Sequence, residues 1–130
     1  MIKTLTGVDR STCFTLSFQE LAAQAQLSCN INVPSNSIGA TLRFRNGNIL
    51  IPEPLYCPKW YTVQYFESPG SGKVQREETT HFECLGVGLY FQADEAARCV
   101  RDGKVESVVW GHDKTVLEME IFDEVNAPVL

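Results

Sequence analysis

The side chains in this sequence best suited to hold a metal or act as a nucleophile are five cysteines, Cys13, Cys29, Cys57, Cys84 and Cys99, and two histidines, His81 and His112. His81 and Cys84 stand three residues apart, with Cys57, Cys99 and His112 as further candidate ligands. Zinc sites usually draw on close pairs such as Cys-x-x-Cys, and no two cysteines here have that spacing. On a strand, positions 81 and 84 point to opposite faces, so one ion would not take both. Five cysteines and two histidines also give five times two, ten, nucleophile–base pairings with no local motif to select one. An odd number of cysteines without a close pair argues against a disulfide framework and for reduced, mostly buried thiols. The expectation is therefore no metal, no cofactor and no catalytic residue.

Carboxylates are paired at Glu77 with Glu78 and at Glu118 with Glu120. Read on a strand, Glu118 and Glu120 share a face and could do acid–base work at a cleft. Negative charge on the outer face of an end strand also discourages edge pairing, and that role is preferred. Gly70-Ser71-Gly72-Lys73 has the look of a phosphate-binding loop. That motif needs a glycine where Glu67 stands and a serine or threonine where Val74 stands, so the stretch reads as a hairpin turn.

What remains is recognition by aromatic side chains, of which there are two tryptophans, four tyrosines and seven phenylalanines. Tyr56, Trp60 and Tyr61 border a proline-rich loop, and Trp110 borders the turn at His112. Amphipathic rings at strand ends are common binding anchors. The candidate protein-binding set is Trp60, Tyr61, Trp110, Glu118 and Glu120.

The elements that would position these groups follow from periodicity. The aromatic stretch Lys59 to Glu67 alternates Tyr61, Val63 and Tyr65 with Trp60, Thr62, Gln64 and Phe66, the profile of a strand covered on both sides. Ile38 to Phe44 alternates as a half-buried strand and meets its return strand, Asn48 to Ile51, through Asn46-Gly47, a strong hairpin signal. Pro52, Pro54 and Pro58 make the next loop rigid. An opening strand ends near residue 16, and Ser17 with Glu20 has capping-box spacing for a helix over about 18–27. Val74 to Cys84 and Leu85 to Phe91 read as strands, and Gly86 and Gly88 could bend the sheet toward a half-barrel. A shorter helix is expected over about 93–101, with Asp94 and Glu95 early and Arg98 and Arg101 late. A closing hairpin joins Val105 to Trp110 with Thr115 to Phe122, and 123–130 reads as a loose tail.

Phe18 to Ser28 resembles the first helix and turn of a bacterial helix-turn-helix domain, over those eleven residues alone. The family requires a second helix that enters the major groove, and Cys29-Asn30-Ile31-Asn32-Val33-Pro34-Ser35-Asn36 does not suit one. The basic residues are also scattered, and the net charge is −5, so nucleic acid is disfavoured as a partner.

The fold expectation is a single α+β domain over 1–130, with a mostly antiparallel, curved sheet of five to eight strands and both helices packed on one face. No signal core or membrane-length apolar run appears, which reads as a cytoplasmic protein without a membrane partner. The functional expectation is a small, acidic, non-catalytic inhibitor that occludes a larger partner with a basic surface, homodimerisation also being compatible. By analogy of type it stands beside toxin-immunity proteins and phage or mobile-element anti-defence proteins such as the anti-CRISPR proteins. The alternative is a small-molecule binder or hydrolase with a pocket between the curved sheet and the first helix, lined by Trp60, Tyr65 and His81.

Overall fold

The computed structural model describes residues 1–34 and 36–127. The fold is α+β, with seven strands in two open antiparallel sheets and two helices. The chain forms two compact units, one of residues 1–34 and 103–130 and the other of residues 35–102.

The first unit carries the sheet β1(Ile2–Lys3), β2(Asp9–Phe18) and β3(Ala23–Asn30), with β2 in the middle. The β2–β3 register pairs Phe14 with Leu27 and Leu16 with Ala25 on one face, and Cys13 with Ser28 and Thr15 with Gln26 on the other. The helix expected over 18–27 is replaced by this hairpin. Gln19–Leu21 makes a single 3-10 turn, Ala22 turns the chain in the left-handed region, and no side chain caps the turn. The reason lies in a competing period of two, in which Ala23, Ala25, Leu27 and Cys29 alternate with Gln24, Gln26, Ser28 and Asn30. An isolated helix of ten residues is marginal in water, whereas β3 pairs with β2 along its full length.

This unit also contains α2(His112–Asn126), where the closing hairpin was expected. The Leu-Glu-Met-Glu-Ile run alternates as a strand would, but leucine, glutamate and methionine are strong helix formers. Asp113 lies in its first turn, and the Glu106 carboxylate accepts the His112 backbone N–H at 2.7 Å, where the helix dipole favours negative charge. Residues 123–126, expected as tail, are therefore helical, and 128–130 lie outside the described residues.

The second unit holds the sheet β4(Ile38–Phe44), β5(Gly47–Pro52), β6(Trp60–Phe66) and β7(Val74–His81), in that order. The aromatic strand β6 is interior, as its two-sided pattern requires. The hairpin at Asn46-Gly47 forms with Arg45 and Asn46 as its loop, and Gly47 opens β5 opposite Phe44. Gly47 is needed for close approach: a Cβ there would lie 1.9 Å from the Gln64 carbonyl oxygen of β6. The strand expected at Leu85 to Phe91 is a pair of turns leading into α1(Tyr90–Arg101). Gly86 and Gly88, both at positive φ, lie in those turns and bend no sheet.

Of the two helices expected, the one over about 93–101 forms, as α1, in the unit of β4–β7, and the one over 18–27 does not. No described helix is long and apolar enough to cross a membrane.

Candidate functional site

The densest chemistry-bearing cluster lies in the second unit, where the β6–β7 ladder runs out. That ladder pairs Trp60 with His81 and Tyr61 with Thr80, and the Phe82 N–H donates to the Lys59 carbonyl at 3.0 Å. Continuing the same register by two residues on each side sets Cys57 opposite Cys84. Their sulfurs are 3.4 Å apart, with the Cys57 thiol donating to Cys84 Sγ.

Local structure holds both cysteines in place. The Cys57 N–H donates to the Pro54 carbonyl in the rigid proline loop. Lys59 extends along the segment beyond β7, and its Nζ donates to the carbonyls of Cys84 at 2.5 Å and Gly86 at 3.0 Å. Gly88 lies beside the pair, where a Cβ would be in ordinary contact, 3.4 Å from Cys57 Sγ and 3.5 Å from Cys84 Sγ. The Tyr90 hydroxyl, at the start of α1, lies 4.0 Å from Cys84 Sγ. Cys57 is buried at 7% exposure, and Cys84 is partly open to solvent.

The hydrogen bond with Cys84 pushes the Cys57 thiol above its ordinary value of 9.0, burial adds to this, and the Lys59 ammonium opposes it. Tyr90 is also raised, first by burial and then by its contact with Cys84. The arrangement suits thiol–thiol chemistry, since a partly exposed cysteine and a buried one hold their sulfurs in contact. No group of three or more His, Cys, Asp or Glu residues that could hold a metal ion occurs among the described residues.

The expected binding residues fall elsewhere. Trp60 and Tyr61 are neighbours on β6 and point to opposite faces, Tyr61 against Phe82 with ring centroids 5.8 Å apart. Trp110, Glu118 and Glu120 belong to the other unit. Trp110 donates its indole N–H to Thr115 at 3.1 Å, and Lys114 lies over its ring. Glu118 and Glu120 are on α2, where residues two apart point to nearly opposite sides, so the shared strand face expected for them does not exist. The alternative pocket also lacks its frame: there is no helix at 18–27, and Tyr65 lies on the face of β6 opposite Trp60. His81 is the cross-strand neighbour of Trp60.

The two faces of the four-stranded sheet differ in chemistry. One carries Ala40, Leu42, Ile49, Ile51, Tyr61 and Val63 on β4–β6 and continues on β7 with Thr80, Glu78 and Arg76. The other carries a polar ladder in which Gln64 accepts from Asn48 Nδ2 at 3.1 Å and donates to Glu77 at 2.7 Å, and the Thr62 and Thr79 hydroxyls lie 2.7 Å apart.

The thiol pair went unrecognised in the sequence because its signal is a register. Positions 57 and 84 become opposite only once Trp60 is known to pair with His81.

No protein-family model matches this chain, and no solved structure does. Among curated proteins, the D-xylose 1-dehydrogenase (NADP(+)) of Hypocrea jecorina is 28% identical over 134 residues, a match that covers 94% of this chain and 33% of the enzyme. The chain thus spans about a third of the length of the curated relative it matches.

Proposed function

We propose that this chain is a non-catalytic, protein-contacting sheet module of an NADP-linked sugar dehydrogenase, and that the β4–β7 sheet supplies the contact. The likeness of nearly the whole chain to a third of the D-xylose enzyme carries the reading. The apolar residues that β4–β6 set on one face, Leu42, Ile49, Ile51 and Val63 among them, support it, because such a patch gains by burial against another surface.

The chain's own residues do not fit a dinucleotide fingerprint, which needs three glycines between a strand and a helix. Gly70-x-Gly72 and Gly86-x-Gly88 are followed by Gln75 and Phe91 where the third glycine belongs. Nucleotide contact is accordingly assigned outside these two stretches.

The test is NADPH formation with D-xylose by the natural polypeptide that contains this chain, alone and with Val63→Lys in the apolar patch. Turnover that falls in the variant is the expected result. Turnover indifferent to Val63→Lys would remove the contact role, and no turnover with D-xylose or other aldoses would remove the dehydrogenase reading.

A second reading keeps the inhibitor that occludes a larger partner, of the immunity or anti-defence type, and is favoured by the exposure of large apolar side chains such as Tyr56 and Trp110. Its contact would include Trp60, Tyr61, Trp110, Glu118 and Glu120. Affinity capture of a protein unrelated to dehydrogenases, lost on Trp60→Ala with Trp110→Ala, would favour it. Capture unchanged by those substitutions and by charge reversal at both glutamates would count against that surface.

A further inference from the structure

We propose that Cys57 and Cys84 are a reversible dithiol–disulfide couple, oxidised by hydroperoxides, that fastens the proline loop before β6 to the segment between β7 and α1. The proposal goes beyond the dehydrogenase reading and does not depend on it.

Geometry carries the inference. The sulfurs are 3.4 Å apart, and a disulfide requires about 2.05 Å, so a movement of roughly 1.4 Å closes the bond. Nothing intervenes, since Gly88 lies against both sulfurs without a side chain. The two Lys59 hydrogen bonds hold the Cys84–Gly86 segment at this distance.

The remaining cysteines provide a contrast within the same chain. Cys13 and Cys29 lie on adjacent rungs of the β2–β3 ladder, Cys13 opposite Ser28 and Cys29 opposite Thr12, and so point to opposite faces of that sheet. Both are exposed, so they meet oxidant readily but are not aimed at each other. Cys99 contacts Glu95 on its own helix, Sγ to Oε1 at 3.8 Å.

Exposure assigns the order of events. Cys84, the more open cysteine, reacts as thiolate with one oxygen of the hydroperoxide. The O–O bond breaks, the leaving oxygen departs as hydroxide or alkoxide and is protonated, and Cys84 becomes a sulfenic acid. The Cys57 sulfur then attacks Cys84 Sγ, the S–S bond forms, and the sulfenic hydroxyl leaves as water with the Cys57 proton. Two thiols have lost two electrons and two protons, and the hydroperoxide has become water and an alcohol, or two waters when it is hydrogen peroxide. A dithiol reductant reverses the change.

The experiment titrates the full chain with hydrogen peroxide, blocks remaining thiols with iodoacetamide and maps the peptides by mass spectrometry before and after dithiothreitol. The expected result is a Cys57–Cys84 linked peptide that accumulates ahead of every other pairing and disappears on reduction. Cys57→Ser should leave Cys84 as a sulfenic acid that dimedone traps. Oxidation of Cys84 to the sulfinic acid in the unaltered protein with no link to Cys57 would overturn the proposal. So would links from Cys57 or Cys84 to Cys13, Cys29 or Cys99 in equal yield, or oxidation of Cys13 and Cys29 that leaves Cys84 untouched. These readouts come from the unaltered protein, so a variant that fails to fold does not remove the test.

Discussion

The two sheets use the same period of two and reach different degrees of consolidation. Among the described residues every buried position, Gly47, Pro52, Cys57 and Thr62, belongs to the unit of β4–β7, and none belongs to the unit of β1–β3. The difference follows from width and partners. Strand β6 is paired along most of its length on both sides, so side-chain rows run across three or four strands. Strand β2 has a full partner in β3 but only the two-residue β1 on its other side. A two-stranded ribbon with a short third strand is marginal by itself, and its alternation produces a face without producing a core. Two of the four buried positions, Gly47 and Thr62, lie in rows that cross all four strands, while Pro52 ends β5 and Cys57 sits in the loop after it.

The largest expected effect breaks the better sheet at its closest backbone approach. Gly47→Val places side-chain atoms where even a Cβ would be 1.9 Å from the Gln64 carbonyl. Neither strand can move without losing its ladder, so the cost should be about 3 kcal/mol or more. Urea unfolding should show a large fall in midpoint or no cooperative transition. Gly7→Ala in the other unit is the counterpart. No atom lies near its added Cβ, and the penalty is limited to its positive φ of 86°, worth about 1–2 kcal/mol. If the two substitutions cost the same, close approach at Gly47 is not what organises β5 against β6.

That contrast also marks what could be read from the sequence. Strand β6 and the β4–β5 hairpin were legible because aromatic alternation on both faces and Asn46-Gly47 are local signals. Residues 18–30 were not, because capping-box spacing and alanine content competed with an alternation of small apolar and polar residues, and only a neighbouring strand decides between them. Residues 112–126 failed in the opposite direction, since Leu117, Met119 and Ile121 alternate as in a strand while their neighbours favour helix. The thiol site needed a third level of information, the register of two strands, which no single segment contains. Trp60 and Tyr61 were placed on the right strand, but nothing local could tell that Glu118 and Glu120 would diverge on a helix.

A smaller effect tests the rows that consolidate the wider sheet. Thr62→Val keeps the shape of a buried side chain and removes its 2.7 Å hydrogen bond to Thr79. A loss of about 1 kcal/mol is expected from denaturant midpoints. A neutral outcome would mean that the row across β6 and β7 contributes shape alone.

A further test concerns pH and the thiol pair. Cys57 is raised in the folded protein, chiefly by its hydrogen bond to Cys84 and then by burial, with Lys59 opposing; Cys84, Lys59 and Tyr90 are the other titratable groups at the site, and Tyr90 is raised as well. The folded state therefore keeps the Cys57 proton at pH values where the unfolded chain has released it. This contribution is fully present below the ordinary thiol value of 9.0 and is lost as pH rises through the higher folded value. Unfolding midpoints under reducing conditions should decline as pH rises above 9.0, and Cys57→Ser should flatten part of that decline. Identical profiles for the two proteins would show that the Cys57 proton does not couple to folding.

The smallest effect applies the same threonine-to-valine change to the narrower sheet. Thr12, opposite Cys29 in the β2–β3 ladder, has a hydroxyl oxygen that is buried without a protein hydrogen-bond partner. Burying a hydroxyl without a partner is costly, whereas an apolar group of the same shape escapes that cost. Thr12→Val should therefore be neutral or stabilise by up to about 1 kcal/mol, the reverse of Thr62→Val. The pair isolates the hydrogen bond from the side chain's shape, since both sites lie on interior strands and undergo one identical change. Equal destabilisation at positions 12 and 62 would show that the Thr12 hydroxyl finds a partner in solution. The two sheets would then differ in width but not in how well their threonines are satisfied.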